Sequence, residues 1–250
     1  IIGAAVVVIG IIGLFIIEEK KIEPSKTGYL TNVIYGFRPS TVKANPSFYF
    51  YLAIFIIFNI SIQIFMPYLI IYYEVSLGMS DYVLIMAPAI IIASVVTALW
   101  GKVYDKKGFS FSGTFSILWL VLGYVILFIF KHTVPVFIGS LLMMSGYLAG
   151  MAVFGAKIRD LTPEGKAGML QGVRIFSQVL VPGVVGPLIG QAVLANAEKI
   201  VNNDGTESFV PNANIFLAAL VPIIILAAVL VIYEKTVGRK KAQSEPISEE

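Results

Sequence analysis

Gln171, Arg174, Ser177 and Gln178 recur at i, i+3, i+6 and i+7 inside an otherwise apolar stretch of this chain. A helix brings that spacing close to one face. Amides both donate and accept, which suits a hydroxyl-rich ligand, whereas a guanidinium suits a carboxylate or phosphate. Two further stripes have a helical period: Asn59, Gln63 and Pro67, and Ser94, Thr97 and Gly101. An amide left unpaired in hydrocarbon costs roughly 4–8 kcal/mol on a cyclohexane scale, so such groups turn to water, protein or ligand. The three stripes predict a polar cavity between helices, with Asn59, Gln63, Gln171, Arg174 and Gln178 facing it. Bonding to their own helix backbone is an equal alternative for Ser94 and Thr97. Arg174 falls about 9 Å into its helix at ~1.5 Å per residue, within snorkelling reach of an interface. There is no Cys and one His, His132. A disulfide framework, a thiolate zinc site, a cysteine nucleophile and a site of several imidazoles are thereby excluded. No catalytic residue, metal ligand or cofactor is expected.

The elements that must carry these stripes are set by composition. Of 250 residues 58% are apolar and 13% charged, and the mean hydropathy is +0.87. A water-soluble surface needs more charge than this, so soluble, disordered and nucleic-acid-binding classes are poor fits. Seven apolar stretches approach or reach spanning length: 1–17, 48–73, 82–104, 111–130, 134–156, 168–195 and 214–233. None alternates with a period of two, as barrel strands would, and lipid offers the backbone no partner. The predicted fold class is all-α, a polytopic membrane helix bundle in contact with the lipid bilayer. Fifteen of the eighteen Lys and Arg fall in the 18–47 connector, near the 105–110 and 157–167 loops, or in the tail. That bias predicts a cytoplasmic tail, residue 1 on the outer side and a multi-pass place in the cytoplasmic membrane. Leu30, Val33, Ile34 and Phe37 form one stripe of a short interfacial helix in the connector. Asn203-Asp204-Gly205 signals a turn in the 196–213 loop, and polar residues 234–250 read as a disordered tail. Gly146-x-x-x-Gly150 and Gly186-Pro187-x-x-Gly190 predict close helix packing or a kink.

Between the second and third of the last six spans the chain reads Gly101-Lys-Val-Tyr-Asp105-Lys106-Lys-Gly108. Gly101 would let two helices approach, Asp105 would accept from a helix N-terminus or a cation, Lys106 and Lys107 would hold the turn inside, and Gly108 would allow a tight turn. Asp105 and Arg159 should lie close, since they end neighbouring spans. This G-x-x-x-D-K-x-G pattern resembles the hydrophilic loop of the major facilitator superfamily, and the chain is similar to the carboxy-terminal half of such a protein plus the preceding span. Tyr35-Gly-Phe-Arg38-Pro39 and Arg159-Asp160-Leu-Thr162-Pro163-Glu164-Gly-Lys166 look like the branch holding the glycoside–pentoside–hexuronide:cation symporters. Sugar carriers of that branch often place a Lys in the second-last span, where this chain reads Val181-Pro182-Gly183.

The resemblance implies half of a twelve-helix bundle: 1–17 as the last span of a missing first half, 18–47 as a cytoplasmic connector, 48–233 as a six-helix half-bundle and 234–250 as a tail. It implies no enzyme but a secondary active transporter of a small solute, sugar-like or glycoside-like, working by alternating access. Gly101, Asp105, Lys106, Gly108 and Arg159 would form its cytoplasmic gate. No acidic side chain lies mid-span, so a coupling proton or sodium would be bound mainly by the missing half. The alternatives are a seven-helix receptor, and a carrier of organic anions or lipids on the same fold.

Overall fold

Apolar runs with no alternation fold as helices, and prolines and glycines set where those helices bend. The structure, a computed structural model, describes residues 2–16, 28, 34–201 and 207–244. Helix α1 covers Ile2–Ile16, with Leu14 and Phe15 82% and 87% exposed. After a 3₁₀ turn at Tyr35–Phe37, α2 covers Pro39–Ala44. Helix α3 runs over Pro46–Ser76, with a 3₁₀ turn at Met66–Tyr68 and a π turn at Tyr72–Ser76. A 47-residue helical run covers Val83–Ile129. Then come α6 (Thr133–Asp160), α7 (Ala167–Val193) and α8 (Asn214–Ser244).

Five described helical runs are long and apolar enough to cross a membrane. The longest crosses twice. At ~1.5 Å per residue it would extend about 70 Å, more than double a ~30 Å hydrocarbon core. Instead the chain folds back at Gly108, whose φ of 75° and ψ of −175° break the helix. The indole rings of Trp100 and Trp119 are 4.5 Å apart, and Trp100 Nε1 donates to the Ser112 carbonyl at 3.1 Å. Residues 83–107 are therefore α4 and residues 109–129 are α5, two passes joined by one residue where a 105–110 loop was expected.

Helix α3 sits at the centre. Phe55 and Phe58 meet Phe154 of α6 with ring centroids 5.5 Å and 5.0 Å apart. Ser61 Oγ donates to the Ala219 carbonyl of α8 at 2.7 Å and lies 3.1 Å from the Tyr124 hydroxyl of α5. Glycine sets the closest approaches. A Cβ at Gly123 or Gly146 would stand 2.5 Å from backbone nitrogen of the facing helix, so α5 and α6 meet nearly backbone to backbone. Gly150 faces the Phe58 ring, and Gly186 and Gly190 of α7 face Gln63 and Ile64 of α3. Helix α4 is the least covered pass, burying Ile85, Ala89 and Ala93 along one narrow stripe.

Three segments differ from the sequence-based expectation. The last helix continues through Ser244, where polarity predicts a disordered tail from 234. Lys, Arg, Ala and Gln are good helix formers, and an existing helix extends at one bond per residue. The Leu30–Phe37 stripe lies partly outside the described residues. Its end docks on α7, with Gly36 buried beneath Val173, the Tyr49 hydroxyl donating to the Gly36 carbonyl at 2.5 Å, and Phe37 edge-on to Phe176. The 196–213 segment holds two short antiparallel strands, β1 (Lys199–Val201) and β2 (Glu207–Phe209). Lys199 Nζ lies 2.9 Å from Glu207 Oε2, and this ammonium holds the Glu207 carboxyl below its ordinary range. The Asn203-Asp204-Gly205 turn lies outside the described residues.

Candidate functional site

Helices α3 and α7 run side by side in the same direction. Phe48 lines a cleft with Leu170 and Arg174 at one end, and Gly186 and Gly190 meet Gln63 and Ile64 farther along. Along this seam Gln171, Arg174, Gln178, Asn59 and Gln63 climb in that order from the Gly108 end toward the middle. Both helices are irregular here. Proline has no N–H for the carbonyl four residues back, and Pro67 and Pro182 stand four after Gln63 and Gln178. The 3₁₀ turn at Met66–Tyr68 and the π turn at Phe176–Leu180 sit at these points. A side-chain amide and a main-chain carbonyl without its regular helical donor thus occur together twice on the seam. π turns inside α-helices are frequent at functional sites.

The five residues expected to line a path are not equivalent. Gln171 is exposed, and Gln63, Arg174 and Gln178 are half-buried. Arg174 reaches across to α6, its Nη2 3.7 Å from where a Cβ on Gly155 would stand. Asn59 is only 5% exposed and its amide donates to the Phe55 carbonyl at 2.8 Å. It therefore satisfies itself within its own helix and is not brought to an open surface with the others. Ser94 and Thr97 each donate to the carbonyl four residues back, at 2.8 Å, which is the backbone-bonded alternative.

At the Gly108 end the residues expected to form a gate are arranged differently from expectation. Asp105 and Lys106 are exposed, and among the described residues Asp105 makes no ion pair. Arg159 pairs instead with its neighbour Asp160 at 3.5 Å. The bond between α4 and α6 comes from Tyr104, whose hydroxyl donates to Asp160 Oδ2 at 2.6 Å. The helix phase at the end of α4 turns residue 104, not 105, toward α6. Gly101 meets nothing within 4 Å of an added Cβ, so the close approach expected there is not made to any described residue. Lys107 caps the Phe111 ring at 4.2 Å, and Ser110 Oγ hydrogen-bonds Glu234 Oε1 of α8. Tyr104 and Phe48 are the site residues that spacing alone missed. Asp160 stood in the 159–166 motif, but its partner could not be read from it.

The cleft at this end has a volume of about 210 Å³ and is lined by Arg159, Arg174, Gln171, Thr162, Glu164 and Phe48 among others. Compared with known proteins, residues 1–187 match the family model described as the Major Facilitator Superfamily. No curated protein and no solved structure matches the chain.

Proposed function

The chain belongs to the major facilitator superfamily, a family of membrane transporters, and from that premise we propose that it is the carboxy-terminal half-bundle of a secondary active carrier. In this reading α1 is the last span of a first half, α3 to α8 form the second half, and the Gly108 end faces the cytoplasm. The superfamily is itself a reference case for two halves rocking about a central site. The solute is small, polar and hydroxyl-rich, of the sugar or glycoside kind, with any coupling proton or sodium held mainly by the first half. The observation that carries this reading is the α3–α7 seam. Gln171, Arg174, Gln178 and Gln63 rise along it from the Gly108 end, and two of them coincide with proline-broken helix. Donor and acceptor groups in pairs suit hydroxyls, which both give and take a hydrogen bond.

The test is uptake of a panel of radiolabelled glycosides by cells carrying the complete carrier. Gln63→Ala and Gln178→Ala each raise KM severalfold with undiminished folded protein in the membrane. Unaltered uptake in both variants removes the seam from the path. One observation favours a second reading, an organic anion as the solute: Arg174 has no acidic partner among the described residues.

A further inference from the structure

We propose that the cleft at the Gly108 end is a binding site for a dianionic phosphate group, either inorganic phosphate or the monoester headgroup of a lipid. Binding here goes beyond the transport reading and does not depend on the solute being an anion.

Two guanidiniums from different helices line the cleft, Arg159 from the end of α6 and Arg174 from the second turn of α7, with the Gln171 amide beside them. Arg159 is held on one side by Asp160 at 3.5 Å, with its side chain 71% exposed. Its fork has five N–H donors, and a single carboxylate contact leaves most of them free. Arg174 is half-buried and makes no hydrogen bond or ion pair among the described residues. A guanidinium partly withdrawn from water without an acceptor is a cost that folding does not offset, and a bidentate oxyanion offsets it well. Among the described residues the other charged group lining the cleft is Glu164, exposed at its rim, so the described lining is net positive. Lys166 adds a cation nearby, its Nζ 5.3 Å over the Tyr35 ring.

The remaining groups suit a compact anion. The Thr162 hydroxyl donates to the Ile158 carbonyl at 2.7 Å, so its proton is committed. Phe48 and Leu170 are each 2% exposed and back the cleft with apolar surface. Low-dielectric backing strengthens the attraction of a guanidinium for phosphate oxygens. At about 210 Å³, the space is below the roughly 300–1,000 Å³ of drug-sized ligand pockets. A phosphate group fits that size.

The experiment uses the full chain in phosphatidylcholine nanodiscs, with and without phosphatidic acid. Inorganic phosphate is titrated against chloride at matched ionic strength, and Tm is read. Phosphate raises Tm saturably and chloride does not. Arg159→Gln and Arg174→Gln each weaken the apparent affinity by about tenfold, as expected for charge-assisted bonds. Lys43→Gln, on the exposed α2 outside the cleft, leaves it unchanged. Arg174→Lys, a milder change, gives an intermediate affinity if Arg174→Gln folds poorly. If the lipid headgroup is the source, phosphatidic acid raises Tm by itself and abolishes the response to added phosphate. If the source is soluble phosphate, the response is equal in both nanodiscs. No saturable rise with either probe, or the same rise in both arginine variants as in the parent chain, overturns the proposal.

Discussion

Gly108 turns the chain between two membrane passes by itself. Its φ of 75° and ψ of −175° lie in a region essentially restricted to glycine, where another residue costs about 1–3 kcal/mol. Among the described residues nothing within 4 Å would obstruct a side chain there, so the cost is conformational and not steric. Gly108→Ala lowers Tm in detergent, and Gly101→Ala, in open helix, does not. Equal Tm values for the two would remove the strain argument. Tyr104 makes the second residue-scale prediction. Its bond to the Asp160 carboxylate ties α4 to α6, and a hydrogen bond to a charged group contributes about 1.5–3 kcal/mol, less where water competes. Tyr104→Phe lowers Tm on thermal unfolding, while Asp105→Asn has no effect. A larger loss from Asp105→Asn would restore that acid as the brace.

Between elements the separations differ sharply. Helices α5 and α6 meet at Gly123 and Gly146 with no room for a side chain; a Cβ at Gly146 would stand 2.5 Å from Leu120 N and 2.8 Å from Ser116 O. Backbone cannot swing aside as a side-chain tip can, so Gly146→Ala forces the two helices apart. Overpacking of this kind costs about 1–3 kcal/mol. The variant lowers Tm, whereas Gly183→Ala, with nothing within 4 Å, does not; the reverse order would refute tight α5–α6 packing. Much of this level is legible in the sequence. The 48–73, 134–156 and 168–195 runs lie within α3, α6 and the surroundings of α7, because apolar length and the backbone's need for partners leave lipid-facing segments few options. The end of α8 is not legible in the same way. Polarity marks where the membrane stops, and helix propensity carries α8 on to Ser244. The Asp105 pairing was misread for a related reason: proximity of two helix ends says nothing of their rotation, and a phase of one residue exchanges Asp105 for Tyr104.

Over the whole molecule, the polar stripes of α3 and α7 share one seam, whereas that of α4 closes on its own helix. Gln171, Arg174 and Gln178 share α7 with a π turn, while Ser94 and Thr97 on α4 bond inward to their own helix. Sequence spacing identifies the polar face of each helix, yet it cannot tell an amide that closes on its own backbone, as Asn59 does, from one left open, as Gln63 is. That difference depends on rotamers and on neighbours brought in from far along the chain. The thin burial of α4 and the exposure of α1 leave broad apolar surface on the described chain, which lipid or a first half would cover in the proposed carrier.

The single-residue turn at Gly108 also bears on how the protein is made. With no slack between α4 and α5, neither can settle across the bilayer while the other waits in water. A turn this short favours joint insertion of the pair as a hairpin whose backbone bonds are already satisfied. In the proposed orientation Lys102, Lys106 and Lys107 around the turn would oppose its passage through the membrane and anchor the hairpin tip during synthesis. In a cell-free translation with microsomes, chains truncated before residue 129 should keep α4 accessible to a water-soluble thiol reagent at an introduced cysteine, and chains extended past α5 should shield it. Shielding of α4 before α5 has emerged would show that the two insert one at a time.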